Sequence, residues 1–175
     1  VPRIELVTAG YWAKTQAAAD RMLDRLVGAL AKNPRRPELM LRLSLDRYHL
    51  NAPYPVLIEH YGNVARAWDR GGHDMLLGFR GIQPDLGHVD RLLAEETGGE
   101  LTEIDAWNRR LTLPGGRSAP LTFNVFRLSG KAGELVEGAE LSTHSKTIRE
   151  YYGPFEKRQG QLVLATAVND AIRGS

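Results

Sequence analysis

Short apolar runs alternate with segments of helical periodicity along the first hundred residues. Residues 4–8 form a run rich in β-branched side chains that ends at Ala9-Gly10, which predicts a strand and a turn. Thr15 can cap the helix that follows, because its hydroxyl can accept a backbone N–H of the first turn. The apolar stripe of this helix consists of Met22, Leu23, Leu26, Val27 and Leu30. The pattern therefore predicts a strand–helix unit.

Two further strand–helix units follow. In residues 39–45 leucines alternate with other side chains, and period two is typical of a strand. Residues 57–68 then show helical spacing up to Gly71-Gly72, and residues 75–79 form a third apolar run. The segment Gln83-Pro84-Asp85 leads into a third helix. That helix carries Val89, Leu92 and Leu93 and ends at Gly98-Gly99.

Three strand–helix repeats predict an α/β fold in which parallel strands are joined by right-handed crossovers. We expect three adjacent parallel strands near residues 4–8, 39–45 and 75–80, with helices on one face. Ligands of such sheets bind beyond the carboxyl ends of the strands. The places to look are therefore Thr8-Ala9-Gly10, Ser44-Leu45-Asp46 and Phe79-Arg80-Gly81.

The rhythm changes after residue 100. Residues 101–113, the turn Pro114-Gly115-Gly116 and residues 121–126 predict a hairpin. Residues 161–167 form one more strand candidate within a region that is loop-rich from residue 129 onward. The sequence thus predicts two parts, a strand–helix unit over residues 1–100 and a hairpin with a loop-rich segment over residues 101–175.

Composition narrows the chemistry. The 175 residues include no cysteine, so the chain has no disulfide, thiolate nucleophile or cysteine ligand for zinc or iron–sulfur clusters. The net charge is +2 and the arginines are scattered, a pattern that does not favour nucleic-acid binding. No apolar run approaches the roughly 18–20 residues that span a bilayer. We expect a cytoplasmic protein that contacts neither nucleic acid nor membrane.

One pair of motifs resembles a known family. The run Leu6-Val-Thr-Ala-Gly10, a helix, and then Leu43-Ser-Leu-Asp46 resemble the middle of the barrel of radical SAM (S-adenosylmethionine) enzymes. The family has Thr-Asn-Gly where this chain has Ala9 between threonine and glycine. The continuations Tyr11-Trp12-Ala13 and Asp46-Arg47-Tyr48-His49 look like a subgroup of those enzymes. The resemblance covers residues 4–100 and implies half of a partial TIM-like barrel.

The family's signature cysteines are missing. Its members carry a CxxxCxxC loop after the first barrel strand, and neither this loop nor the family's GxIxGxxE pattern is present here. The resemblance therefore implies the C-terminal part of a longer enzyme, inactive alone. S-adenosylmethionine and a [4Fe-4S] cluster are expected only in a longer parent. The expected partner is a missing N-terminal segment or a partner chain, the substrate is a small molecule or a peptide, and an unpaired strand edge predicts self-association.

Four residues are candidates for the site. Ser44 and Asp46 share one strand face with Arg42, and the resemblance implies that they lie beside the ribose or methionyl part of S-adenosylmethionine. The alternative is a polar strand end that caps the next loop. Arg42 could pair with the Asp46 carboxylate when no ligand is bound. His49, three residues beyond Asp46, is either a general base oriented by that carboxylate or a histidine at a helix entry.

Two other interpretations stay open. The chain could be a non-catalytic α/β domain that binds a protein partner or serves assembly. It could also be a hydrolase or transferase that uses Asp46 and His49, although no nucleophile motif such as GxSxG is present. No HxH, HxxxH or HExxH pair occurs, so we expect no metal site.

Overall fold

The computed structural model describes residues 3–35, 37–51 and 55–124 of the 175 residues. Its strands are β1 (Arg3–Thr8), β2 (Glu38–Ser44), β3 (Leu76–Ile82), β4 (Glu100–Glu103), β5 (Asn108–Thr112) and β6 (Ser118–Asn124). Its helices are α1 (Gln16–Ala31), α2 (Arg47–Leu50), α3 (Ile58–Gly71) and α4 (Val89–Thr97). A 3-10 turn covers Gln83–Asp85, between β3 and α4. These elements belong to one compact unit that extends to Asn124.

All six strands lie in one sheet with the order β1-β2-β3-β6-β5-β4. Strands β1, β2, β3 and β6 are parallel to one another, β5 is antiparallel to β6, and β4 is antiparallel to β5. The prediction of three adjacent parallel strands is confirmed, because β1 pairs with β2 and β2 with β3 in parallel. The α/β class is confirmed as well. The finer expectation of half a barrel stays a prediction, since the sheet is mixed.

The two faces of the sheet differ in chemistry. The leucines of β2 and the apolar residues Leu77, Phe79 and Leu121 point into a core closed by α1, α3 and α4. The other face, called here the open face, holds the alternate residues of each strand. It includes Glu5, Val7, Met40, Arg42, Ser44, Leu76, Gly78, Arg80, Arg110, Pro120 and Thr122. Val7, Leu76 and Arg80 are exposed there within the described part of the chain.

The first helix forms as its sequence predicts. The Thr15 hydroxyl accepts the backbone N–H of Ala18 and so caps α1. The side chains of Ala19 and Leu23 are buried against the sheet, and Leu26, Val27 and Leu30 pack beside them. Helical periodicity therefore identified four of the five stripe residues correctly, while Met22 is not part of the packed core.

Strand β6 lies between β3 and β5 in the sheet. It pairs with β3 although β4 and β5 come between the two strands in the sequence. The turn between β5 and β6 is held on α3, where the Asp69 carboxylate accepts the backbone N–H groups of Gly115 and Arg117. The Arg117 guanidinium lies 3.7 Å from the ring centroid of Trp68 and donates to three backbone carbonyls. These contacts fix the hairpin beside β3.

The sequence prediction differs from the structure in two elements. Residues 101–113 are two strands rather than one, because the Asp105 carboxylate accepts the backbone N–H groups of Trp107 and Asn108 and closes a turn between β4 and β5. Strand β3 extends to Ile82, three residues beyond the predicted run. The strand candidate at residues 161–167 lies outside the described residues.

Candidate site at the carboxyl edge of the parallel strands

The three segments singled out from the sequence lie side by side. Thr8 at the end of β1 is the register partner of Leu43, and Ser44 at the end of β2 is the partner of Arg80. The turn after β1 needs a left-handed backbone at Gly10, whose φ is 82°, and glycine adopts that conformation readily. The carboxyl edge of β1, β2 and β3 is therefore a continuous row of strand ends.

Asp46 lies directly beyond β2 and is largely buried. One carboxylate oxygen, Oδ1, accepts the backbone N–H groups of Tyr48 and His49, each at 3.0 Å, so Asp46 caps α2. The other oxygen, Oδ2, lies 2.8 Å from Nδ1 of His49. One side chain thus starts the short helix and orients a histidine upon it.

The pKa values of this pair move in opposite directions. Burial by itself would raise the pKa of Asp46, but the hydrogen bonds from the ring and backbone of His49 and from Tyr48 outweigh it, and the pKa is lowered. The pKa of His49 is raised, because its hydrogen bond to Asp46 outweighs partial burial. The pair therefore favours an ionised carboxylate beside an imidazole that holds its proton more strongly than usual.

Tyr61 of α3 is hydrogen-bonded to the end of β2. Its hydroxyl donates to the backbone carbonyl of Ser44 at 2.7 Å, and its ring is fully buried. Burial, together with the nearby charge of Asp46 and of Tyr11, raises the pKa of Tyr61. The phenol therefore stays protonated and keeps donating. This contact fixes the position of the residue from which Asp46 extends.

Arg47 and Asp85 form a second charged pair beside the first. Asp85 ends the 3-10 turn after β3 and is 0% exposed. Its carboxylate accepts the backbone N–H of Arg47 at 2.8 Å and is bonded by the Arg47 guanidinium as well. The sequence pattern of Gln83-Pro84-Asp85 indicates only the approach to a helix, and the ion pair of Asp85 is seen only in the structure. The available signal was a carboxylate three residues beyond the third parallel strand.

Arg42 and Ser44 are alternate residues of β2 and both lie on the open face, as their alternation with buried leucines predicted. Arg42 does not pair with Asp46. Its guanidinium contacts the Glu5 carboxylate of β1 at 2.7 Å instead, because Arg42 and Glu5 lie on the same face of neighbouring strands. The expected Arg42–Asp46 pair is thus wrong, and His49 takes the place assigned to Arg42.

The arrangement can move a proton. When His49 is neutral, Asp46 favours the tautomer with the proton on Nδ1, which leaves Nε2 as an acceptor. The imidazole is partly exposed, so a ligand at the strand ends can reach it. The helix-entry interpretation of His49 is met at the same time, since His49 lies in the first turn of α2. His49 is therefore both a helix-entry residue and an imidazole oriented by a carboxylate.

The residues present fit the two implied cofactors unequally. An iron–sulfur cluster needs thiolates, and the chain has no cysteine, so this chain does not fit the cluster. For S-adenosylmethionine, the Ser44 hydroxyl has no hydrogen-bond partner among the described residues. Asp46 Oδ1 already accepts two bonds and Oδ2 accepts one, so about one acceptor position is left for a ligand hydroxyl or amino group. That fit is possible with Ser44 and Asp46 together.

Other parts of the described chain offer less. A cleft of about 330 Å³ lies at the amino ends of β2 and β3, where the Arg117 guanidinium already binds backbone carbonyls. Within residues 3–35, 37–51 and 55–124 no group of three histidine, aspartate or glutamate side chains is placed to hold a metal ion. None of the helices in these ranges is both long and apolar enough to cross a membrane. The cytoplasmic location stays a prediction.

Comparison with protein-family models, with curated proteins and with solved structures found no match to this chain. These searches neither support nor refute the resemblance to radical SAM enzymes. The resemblance therefore depends on the sequence motifs alone.

Proposed function

We propose that the described unit is the C-terminal part of a radical SAM-like enzyme and contributes the substrate side and part of the S-adenosylmethionine pocket. The observation that carries the proposal is the row of strand ends at β1, β2 and β3, with Ser44 and Asp46 at its middle strand. The sequence motifs of the resemblance fall on two of these strand ends, those of β1 and β2. In this proposal the parallel strands β1, β2, β3 and β6 form the partial barrel, and the open face is its lumen side.

Each site residue has a defined part in the proposal. Ser44 donates or accepts a hydrogen bond with a ribose hydroxyl, and the remaining acceptor position of Asp46 Oδ2 takes a hydroxyl or the amino group. Arg42 acts on the ligand only if it leaves Glu5, so its part is secondary. The cluster thiolates come from an upstream segment or a partner chain. The chain by itself is inactive.

Titration of the chain with S-adenosylmethionine tests the proposal. Binding is expected to shift the backbone amide NMR signals of Ser44, Asp46, His49 and the Thr8–Gly10 turn. The double variant Ser44→Ala/Asp46→Asn should bind roughly tenfold more weakly, because two hydrogen bonds are lost. Arg25→Gln, at an exposed position of α1 on the other side of the sheet, is the control and should bind as the parent does. Binding that does not change in the double variant would remove Ser44 and Asp46 from the pocket.

The gene gives an independent test. A CxxxCxxC-coding segment upstream of the codon for Val1 is the expected result. A start codon directly before that codon would contradict the proposal and favour the second candidate.

The second candidate is a non-catalytic domain that binds a protein partner or serves assembly. One observation favours it. Strand β1 lies at the edge of the sheet, and three of its apolar side chains are exposed, Ile4 by 45%, Leu6 by 39% and Val7 by 50%. An edge strand with free backbone groups and apolar side chains is a template for pairing with another strand. The same edge would accept the upstream strand in the first proposal.

A further inference from the structure

Arg80 occupies an unusual position for a cation. It lies on β3, an interior strand, and its neighbours Phe79 and Gly81 face the core, so its side chain extends over the open face. Ser44 on β2 and Thr122 on β6 are its register partners, one on each side. The side chain is exposed, and among the described residues no acid or carbonyl binds its guanidinium.

Two acids on this face are already bound by arginines other than Arg80. Glu5 is bound by Arg42 at 2.7 Å, and Glu38 is bound by Arg3 at 2.6 Å. Arg110, on β5 opposite Pro120, adds another cation to the same face. The half of the open face nearest the strand ends therefore carries more positive than negative charge within the described chain. An anion that approaches it is attracted.

We propose that Arg80, with the hydroxyls of Ser44 and Thr122, forms a subsite for the carboxylate or phosphate group of a small-molecule ligand. A guanidinium offers two parallel N–H donors to two oxygens of such a group, and this geometry is more specific than a point charge. Neighbouring strands are about 4.8 Å apart, so each hydroxyl lies one strand spacing from Arg80 and flanks an anion held by its guanidinium. The subsite deepens the proposed function, because it assigns an anionic group to the ligand, but anion binding itself needs no cofactor.

The anionic group has two possible sources, the substrate and the carboxylate of S-adenosylmethionine. Four probes separate them: inorganic phosphate, succinate, S-adenosylmethionine and its decarboxylated analogue. Each is titrated into the chain at low ionic strength, and binding is followed by the amide NMR signals of residues 44, 80 and 122. Low salt matters because screening weakens an exposed site.

Three variants make the test specific. Arg80→Gln removes both the positive charge and the two parallel N–H donors of the guanidinium, and it should weaken anion binding roughly ten- to hundredfold. Arg80→Lys keeps the charge but not the parallel donors and should give an intermediate loss. Arg25→Gln removes an exposed cation from α1, on the other side of the sheet, and should change binding no more than about twofold. Thermal unfolding of each variant checks that the exposed substitution has left the fold intact.

Each outcome decides the matter. Phosphate or succinate binding that is lost in Arg80→Gln, with S-adenosylmethionine unaffected, supports a substrate anion. If Arg80→Gln weakens the binding of S-adenosylmethionine but not of its decarboxylated analogue, the anionic group at the subsite is the carboxylate of the cofactor. If no probe binds, or if Arg80→Gln binds as the parent does, the subsite is overturned, as it would be if another part of the chain already neutralised Arg80. The proposed function survives that result when Ser44 and Asp46 still affect S-adenosylmethionine.

Discussion

Nδ1 of His49 lies 2.8 Å from the Oδ2 atom of Asp46, and the other oxygen of the same carboxylate caps the helix on which His49 lies. Two constraints therefore act on one imidazole: its backbone is held by the cap and its ring by the hydrogen bond. A histidine that served only as a helix-entry residue would need the first constraint alone. The second fixes the tautomer and ties the charge of His49 to that of Asp46.

Asp46→Asn should lower the pKa of His49. Asparagine caps helices about as well as aspartate, so the backbone is retained while the negative charge is lost. The measurement is an NMR pH titration of the His49 ring. Asp105→Asn changes a fully exposed turn carboxylate elsewhere and should leave the pKa of His49 as it is. Identical titration of His49 in both variants would show that Asp46 does not control it.

The same pair should make stability depend on pH. Because the pKa of His49 is raised on folding, its contribution is full below the ordinary value of 6.5 and is lost as the pH rises through the raised value. Because the pKa of Asp46 is lowered, its contribution is present above the ordinary value of 3.8 and is lost as the pH falls through the lowered value. The free energy of unfolding of the parent relative to Asp46→Asn should therefore be larger at pH 5.5 than at pH 9, by about 1 kcal/mol. Urea unfolding at the two pH values measures it, and an equal difference at both would contradict the coupling.

Arg47 and Asp85 should show strong coupling in a double-mutant cycle. Arg47→Ala leaves a fully buried carboxylate without its cation and should cost about 3 kcal/mol. Asp85→Ala leaves a half-exposed guanidinium that water can reach, and should cost less, about 2 kcal/mol. The double variant should be more stable than the sum of the two losses predicts. Arg91→Ala on α4 is the control, and its loss should add to that of Asp85→Ala. Additive losses for Arg47→Ala and Asp85→Ala would mean that their ion pair contributes little to stability.

Two glycines of β3 should respond differently to alanine. At Gly81 a Cβ atom would lie 2.6 Å from the Phe123 ring and 3.1 Å from the backbone carbonyl of Leu45, so the packed core has to move. Gly81→Ala should cost about 2 kcal/mol in the free energy of unfolding. At Gly78 the nearest atom is the terminal methyl group of Met40, at 2.7 Å, which can rotate away. The free energy of unfolding of Gly78→Ala should therefore lie within about 0.5 kcal/mol of the parent value. An equal loss at both positions would contradict the packing described for Phe123.

The edge strand β1 should govern self-association. Leu6→Lys places a charge on the exposed edge and should shift any dimer to monomer, since an edge charge opposes strand addition. Leu57→Lys, at an exposed leucine before α3, removes a similar apolar side chain away from the edge and should have no such effect. Sedimentation velocity across a range of concentrations measures the oligomeric state. A dimer that persists in Leu6→Lys and dissociates in Leu57→Lys would place the contact elsewhere.

The sequence by itself determined the parallel strands, the first helix and the position of the candidate site. Each depends on local information: period two in β2, helical spacing in α1, and the rule that ligands bind at the carboxyl ends of parallel strands. The proximity of Asp46 and His49 was also predictable, because His49 is the third residue after Asp46 at a helix start.

Only the tertiary structure decided which groups are paired. Arg42 binds Glu5 rather than Asp46, and Arg47 binds the buried Asp85, 38 residues away. The hairpin was predicted, but its position beside β3 was not. The Asp69 carboxylate of α3 accepts the Gly115 N–H of the hairpin turn, and Arg117 of the same turn donates to the backbone carbonyl of Trp68. Pairing across a sheet depends on the register between strands that are distant in sequence, and many partners are compatible with one local pattern. A carboxylate or guanidinium binds whichever opposite charge the fold brings within about 4 Å, and the order of residues along the chain does not contain that distance.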